Sequence, residues 1–298
     1  MKARQQNKRL QTHQGLNLMT STPADKRKTA LITGAASGIG AAFARHLAAG
    51  GFDLILVDRA QERLALFVAD LQKQHKVTVQ EIVADLSNLT DIDRVSKYIS
   101  TLPALELLIN NAGFGTCGKF AEVPIEKSQA MITVHITAAT RFVHAALPAM
   151  IACRSGAIIN MASIGAFLRF PESTVYFATK SYLVTFTETL RTELLNSGIK
   201  VMALCPGWIR TDFSNTPDMK AFDPGRIPGA LWMTSDQLVT RSLWALDRGK
   251  VTYIPSIKYK LFILAFGSKF GIALTALYRR LRKMIWGSAF AQESGTKT

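Results

Sequence analysis

The stretch from Thr33 to Gly40 reads Thr-Gly-Ala-Ala-Ser-Gly-Ile-Gly and joins a short apolar run, residues 29 to 33, to an amphipathic stretch, residues 38 to 49. Glycines at a strand-to-helix junction let the backbone turn tightly and come close to a ligand. The free amides and positive end of the helix that starts there favour an anionic group. The pattern therefore predicts a dinucleotide pyrophosphate over the turn, with Gly34, Ser37, Gly38, Ile39 and Gly40 as cofactor-binding positions. The spacing is G-x-x-x-G-x-G rather than G-x-G-x-x-G, and no Lys-Ser or Lys-Thr pair follows, so a nucleotide-hydrolysing P-loop is excluded.

Short apolar runs and helix-length stretches then alternate along the chain. Residues 29–33, 52–57, 77–83, 105–109, 156–161, 200–204 and 251–254 read as strands. Residues 38–49, 60–74, 91–100, 125–153, 175–197 and 235–248 read as helices; in the fifth, Leu183, Phe186, Leu190 and Leu194 recur at steps of three and four. Alternation with near-continuously apolar strands implies an α/β fold, a doubly wound parallel sheet with helices on both faces. One such domain is expected over residues 29–255, between a basic extension, 1–28, and a basic and apolar one, 256–298.

Charge separates these parts. The net charge is +15, but residues 1–28 hold seven basic residues and one acid, and residues 256–298 hold eight and one, which leaves about +2 for the domain. A near-neutral domain without a basic stripe argues against nucleic-acid binding. The three cysteines, Cys117, Cys153 and Cys205, lie far apart without metal-ligand spacing; no metal is expected, and buried reduced thiols in a cytoplasmic protein are the reading. The first 24 residues lack acids and a continuous apolar core. They fit an organelle transit peptide or, as the favoured reading, a disordered extension or a start at Met19.

The second strand ends near Asp58, 18 residues after Gly40, where a carboxylate accepts hydrogen bonds from an adenine ribose diol and repels a 2′-phosphate. This favours NAD, with NADP as the alternative because Arg59 follows. Asp85 is a second candidate at the adenine end, or a helix cap. Tyr176 and Lys180 stand four apart at the start of a helix and share a face. A cation about 4 Å from the phenol is worth roughly 4 kcal/mol at an effective dielectric near 20, enough to favour tyrosinate. Ser163 falls just after a strand, at the same carboxyl edge as the glycine turn, where its hydroxyl is placed to orient a carbonyl.

With these motifs in order, the chain resembles the short-chain dehydrogenase/reductase family in its single-domain branch, over about residues 28–255. The matching elements are Thr33–Gly40, the Asn-Asn-Ala-Gly of Asn110–Gly113, Ser163, Tyr176-x-x-x-Lys180, and Pro206-Gly207 with Thr211. The resemblance implies a Rossmann-type fold and hydride transfer between a nicotinamide and a carbonyl or alcohol carbon. In it, Tyr176 exchanges the proton, Ser163 holds the substrate oxygen, and Lys180 binds the nicotinamide ribose and lowers the tyrosine pKa. Asn111 lines the cofactor cleft, and Pro206, Ile209 and Thr211 seat the carboxamide end. The family's helix asparagine, which holds a water leading from the lysine to solvent, is replaced by His135. An altered proton relay through the imidazole is expected, against a degenerate site with weak turnover.

The stretch Trp208–Met233, with Phe213, Met219, Phe222, Ile227 and Trp232, and the phenylalanines 114, 167 and 170 suggest an apolar ketone or alcohol, lipid-like or steroid-like. A homo-oligomer is expected. The rival class is a dinucleotide-binding regulatory or scaffold protein with little catalysis. Beyond Pro255, Phe262, Phe266 and Phe270 repeat every four residues between Lys258 and Lys260 and a cluster at Arg279–Lys283. An interfacial helix peripheral on an anionic membrane is the preferred reading; a helix packed on its own domain or on a partner subunit is the alternative.

Overall fold

The computed structural model describes residues 27–267 apart from residues 104 and 221. The expectations about Met19 and most of the amino-terminal extension, and about Phe270 and the arginine cluster, lie outside the described residues.

In chain order the elements are β1 (Thr29–Thr33), α1 (Gly38–Ala49), β2 (Asp53–Asp58), α2 (Gln61–Gln74), β3 (Val79–Val83), α3 (Leu89–Thr101) and β4 (Leu107–Asn110). There follow α4 (Ile125–Cys153), β5 (Gly156–Met161), a 3-10 turn (Ile164–Phe167), α5 (Thr174–Glu193) and β6 (Ile199–Leu204). The last are β7 (Trp208–Arg210), β8 (Trp232–Thr234), α6 (Ser235–Asp247), β9 (Thr252–Tyr253) and α7 (Ile257–Gly267). Seven strands form one sheet in the order β3-β2-β1-β4-β5-β6-β9, all parallel, the Rossmann-type arrangement.

Continuously apolar strands arise because alternate residues enter different cores. Ala30, Ile32, Leu54, Leu56, Leu107 and Ile109 pack on one face with Phe43 and Leu47 of α1 and Leu243 and Leu246 of α6. Leu31, Ile55, Val57, Leu108 and Ile158 pack on the other with Ile92 and Val95 of α3 and Phe142 and Met150 of α4. At about 2 kcal/mol for each such side chain, these two layers supply most of the drive to fold. Helix α4 is long and apolar enough to cross a membrane by composition, yet Phe142, Val143, Ala146 and Met150 are buried core.

Three features depart from the sequence reading. Helix α4 is not α-helical throughout: Thr133–Ala138 forms a π-helical segment that widens the turn around His135. The stretch after Trp208 contains a second small sheet, β7 paired in parallel with β8 through Trp208↔Trp232, Ile209↔Met233 and Arg210↔Thr234. Of the three cysteines only Cys205 is buried; Cys117 is half-buried and Cys153 is exposed near the end of α4, because residues past the last buried turn face solvent.

Candidate active site

The carboxyl ends of β1, β4, β5 and β6 meet on one side of the sheet. Strand order reverses between β1 and β4 there, and this is the edge where open α/β sheets hold their ligands. Gly34 and Gly38 adopt φ of +63° and +54°. A Cβ on Gly40 would lie 2.1 Å from the Gly34 carbonyl oxygen, so the turn closes only with glycine. Asn111 fixes it from β4: its Nδ2 donates to the carbonyls of Thr33 and Gly34 at 2.9 and 3.0 Å, and its amide donates to Thr33 Oγ1 at 3.0 Å. Ser37, exposed at the start of α1, makes no side-chain capping bond to the first turn. A glycine cradle facing an uncapped helix start fits the pyrophosphate of a dinucleotide.

Asp58 lies at the end of β2 as expected, and its carboxylate also shapes the turn. Oδ2 accepts from the Ala36 amide at 2.9 Å and Oδ1 from the Ala60 amide at 3.0 Å. Asp85 Oδ1 accepts from the amide and hydroxyl of Ser87 in the turn before α3, while the cap of that helix is Asn88, whose side chain accepts from the Thr90 amide.

Ser163, Tyr176 and Lys180 come together. Ser163 follows β5 and opens the 3-10 turn, where its Oγ accepts from the Gly165 amide at 3.0 Å. Tyr176 stands in the first turn of α5. Lys180, one turn on, is 4% exposed, and its Nζ donates to the Met161 carbonyl at 2.7 Å and lies 5.6 Å from the Tyr176 ring centre.

Electrostatics run against the expected lowering of the Tyr176 pKa. Although part of its ring reaches the cleft surface, burial pushes the Tyr176 pKa above its ordinary value, and the neighbouring Ser163 hydroxyl only partly offsets this. Burial also lowers Lys180 from 10.5 to about 7. Desolvation of both groups outweighs the cation–phenol attraction anticipated from the spacing, and Tyr176 holds its proton at neutral pH.

His135, 1% exposed in the π-helical segment, also departs from expectation. Thr179 Oγ1 donates to the Tyr176 carbonyl, so it accepts from His135 Nδ1 at 2.8 Å. Nε2 then accepts from the Phe114 amide at 3.1 Å. Both ring nitrogens are engaged in one tautomer, and burial with the Lys180 charge nearby holds the pKa well below 6.5. The imidazole thus fixes neighbours in place of carrying a water.

Above the cleft, the Pro206 carbonyl accepts from the Ile164 amide at 2.9 Å, joining β6 to the serine turn. Ile209 packs in the core, and the methyl of Thr211 lies 3.4 Å from where a Gly38 Cβ would stand, which places the β7–β8 segment over the glycine turn. Tyr176 is surrounded by rings: His135 and Phe177 edge-on and Phe213 tilted, with centroids about 6 Å away in each case. Phe114 meets His135, and Phe170 meets Phe177. Met219 and Met233, read as pocket residues, are instead buried. Reading the sequence missed Thr179 and Phe177, neighbours of the tyrosine motif, and Tyr259, whose hydroxyl lies 2.6 Å from the Leu231 carbonyl and 3.2 Å from that of Trp208.

Comparison with known proteins places this geometry in context. Residues 28–220 match the family model described as short chain dehydrogenase. An uncharacterized oxidoreductase of Staphylococcus aureus is 35% identical over 208 residues, covering 68% of this chain and 89% of the relative. Among solved structures, a short-chain dehydrogenase from Sphingobium yanoikuyae in complex with NADPH is 32% identical with a TM-score of 0.73, covering 86% of this chain and 95% of that one. A bulky-bulky ketone specific alcohol dehydrogenase from Comamonas testosteroni is 31% identical with a TM-score of 0.69, covering 77% and 86%.

Proposed function

The chain belongs to the short-chain dehydrogenase/reductase family and is an NAD(P)-dependent oxidoreductase, and on that premise we propose that it reduces a bulky, apolar ketone to a secondary alcohol. The observation that carries the substrate class is the aromatic surface at the site, where Phe177 and Phe213 flank Tyr176 and Phe114 meets the neighbouring His135. The Comamonas alcohol dehydrogenase, specific for bulky ketones, supports the same class.

A bound nicotinamide supplies the hydride. Ser163 Oγ, which accepts from Gly165 and lies beside the Tyr176 hydroxyl, keeps a proton to donate to the substrate oxygen. Tyr176, kept protonated by burial, delivers a proton to that oxygen as it becomes an alkoxide. Lys180, anchored to the Met161 carbonyl, has further N–H groups with which to hold the nicotinamide ribose.

For the adenine end, the Asp58 carboxylate favours the unphosphorylated ribose, hence NAD over NADP. The decisive experiment follows reduced-nicotinamide absorbance with NADH and NADPH against panels of bulky aryl, steroid and small polar ketones. Turnover of the bulky apolar members that is lost in Tyr176→Phe supports the proposal. A preference for small polar ketones removes the substrate class, and a fully active variant removes Tyr176 as proton donor.

A further inference from the structure

Helix α7 is mostly apolar, and its faces meet different surroundings. Tyr259 is fully buried, and Phe262 packs on Trp208 and Phe170 with ring centroids 5.3 and 6.3 Å away. Phe266 reaches Phe170 from the next turn. This inner face realises the packed-helix alternative for the described part of the carboxyl extension.

No described residue covers the outer face. Ile257, Leu261 and Leu264 are 67%, 59% and 70% exposed, and their spacing of four and three puts them in one stripe. With 3.6 residues per turn, Lys258 and Lys260 lie on opposite sides of that stripe, about 90° and about 70° from its centre. Both lysines are exposed, and α7 has no acid. An apolar stripe with a lysine on either flank is the section of a helix lying in a lipid interface, with the leucines down, Lys260 level with the headgroups and Lys258, whose Nζ donates to the Ala230 carbonyl at 3.1 Å, retaining N–H groups for them.

We propose that this face of α7 docks on an anionic lipid membrane, and that it does so beside the aromatic cleft. Charge selects this occupant. Residues 256–298 carry eight basic residues and one acid, so a second copy would set this like charge against itself. The chain's own residues 268–298, with six basic residues and one acid, would bring arginines against Lys258 and Lys260. An anionic bilayer accepts both the stripe and its cationic flanks. Because the opposite side of the same helix packs on Phe170, which touches Phe177 next to Tyr176, docking sets the cleft close to the lipid. The surface is independent of the identity of the substrate.

The test is flotation of the full-length protein with phosphatidylcholine vesicles, with and without phosphatidylserine. Binding is expected only with phosphatidylserine and is expected to weaken as salt is raised. Leu261→Glu with Leu264→Glu should reduce it at least ~10-fold. Replacing Lys258 and Lys260 by Gln should cost about five-fold for each lysine. The leucine variant should retain its melting temperature and its turnover of a soluble ketone. Equal flotation of wild type and leucine variant, equal binding to vesicles without phosphatidylserine, or no binding at all overturns the proposal. So does a wild-type dimer that the leucine variant converts to monomer without any vesicle binding, which would assign the stripe to a second copy.

Discussion

The imidazole of His135 stands edge-on to the phenol ring of Tyr176, with centroids 5.9 Å apart and planes at 76°. Its two nitrogens tie the Phe114 amide on one side to Thr179 on the other. The π-helical segment places a side chain with a donor and an acceptor at this point, and the result is a wedge that fixes the tyrosine's backbone and one wall of the cleft together.

If His135 positions its neighbours, His135→Phe keeps the ring and deletes both hydrogen bonds. Leaving the part-buried Phe114 amide unmatched, while Thr179 keeps its bond to the Tyr176 carbonyl, should lower stability by about 1–3 kcal/mol and raise KM as Phe114 shifts. The limbs of the kcat–pH profile between about pH 6 and 8 should not move, because a ring neutral throughout that range carries no titrating proton. A displaced limb would restore the relay. Stability gives a second readout. With the folded pKa held below the unfolded value near 6.5, acidification below that value protonates the unfolded chain first. This group therefore makes the wild type lose stability as pH falls, and the variant should lack that component in urea denaturation at pH 5 to 7.

Lys180 gives a prediction in the opposite pH range. Its folded pKa near 7 lies below the unfolded value of 10.5, so between the two the unfolded chain binds more protons. Stability contributed by this group then rises with pH, at up to about 1.4 kcal/mol per unit. In Lys180→Met that slope is absent. The melting temperature of the variant relative to wild type should be highest near pH 7 and fall steadily toward pH 10. A constant difference would mean that Lys180 stays charged when the protein folds.

Most of the fold was legible because strand and helix periodicities survive in single sequences: residues 38–49 and 156–161 coincide with α1 and β5. Elements whose reason lies elsewhere in the chain were not. The β7 strand exists because Trp208 meets Trp232, more than twenty residues on, and three-residue strands carry no readable period. For the site, Ser163, Tyr176 and Lys180 could be brought together by placing each on an element. Their protonation could not, since burial of Lys180 reverses what a spacing of four and an effective dielectric near 20 suggest. His135 was visible as a departure, but its role required knowing that Thr179 and Phe114 lie at its two nitrogens.

Asp58 links cofactor choice to the shape of the glycine turn. Asp58→Ala removes the acceptors of the Ala36 and Ala60 amides together with the charge that repels a 2′-phosphate. Stability should fall by about 1–3 kcal/mol, and the ratio of kcat/KM for NADPH over NADH should rise at least ~10-fold. Asp58→Asn separates the effects. It keeps an oxygen for one amide and should recover part of the stability while retaining most of the changed cofactor ratio. A ratio that does not move in either variant would place cofactor choice on Arg59 or elsewhere.

The contact between Gly207 and Tyr259 offers the sharpest test of how α7 governs the cleft. A Cβ on Gly207 would lie 2.5 Å from the Tyr259 ring, closer than any real contact, so Gly207→Ala must displace the ring and the helix it anchors. Tyr259→Phe keeps the ring and loses the hydroxyl that reaches the Leu231 and Trp208 carbonyls, which should cost about 1–2 kcal/mol. Because those carbonyls belong to the segment over the cleft, KM should rise several-fold while kcat stays near wild type. Gly207→Ala should be worse on both counts. In a Tyr259→Ala background the added methyl enters space the ring has left, so the further cost of Gly207→Ala should shrink toward zero. The coupling, read from denaturant midpoints across the four proteins, should reach about 1–3 kcal/mol. Additive losses would show that the methyl at position 207 costs stability independently of the Tyr259 ring and that α7 can move without disturbing the cleft.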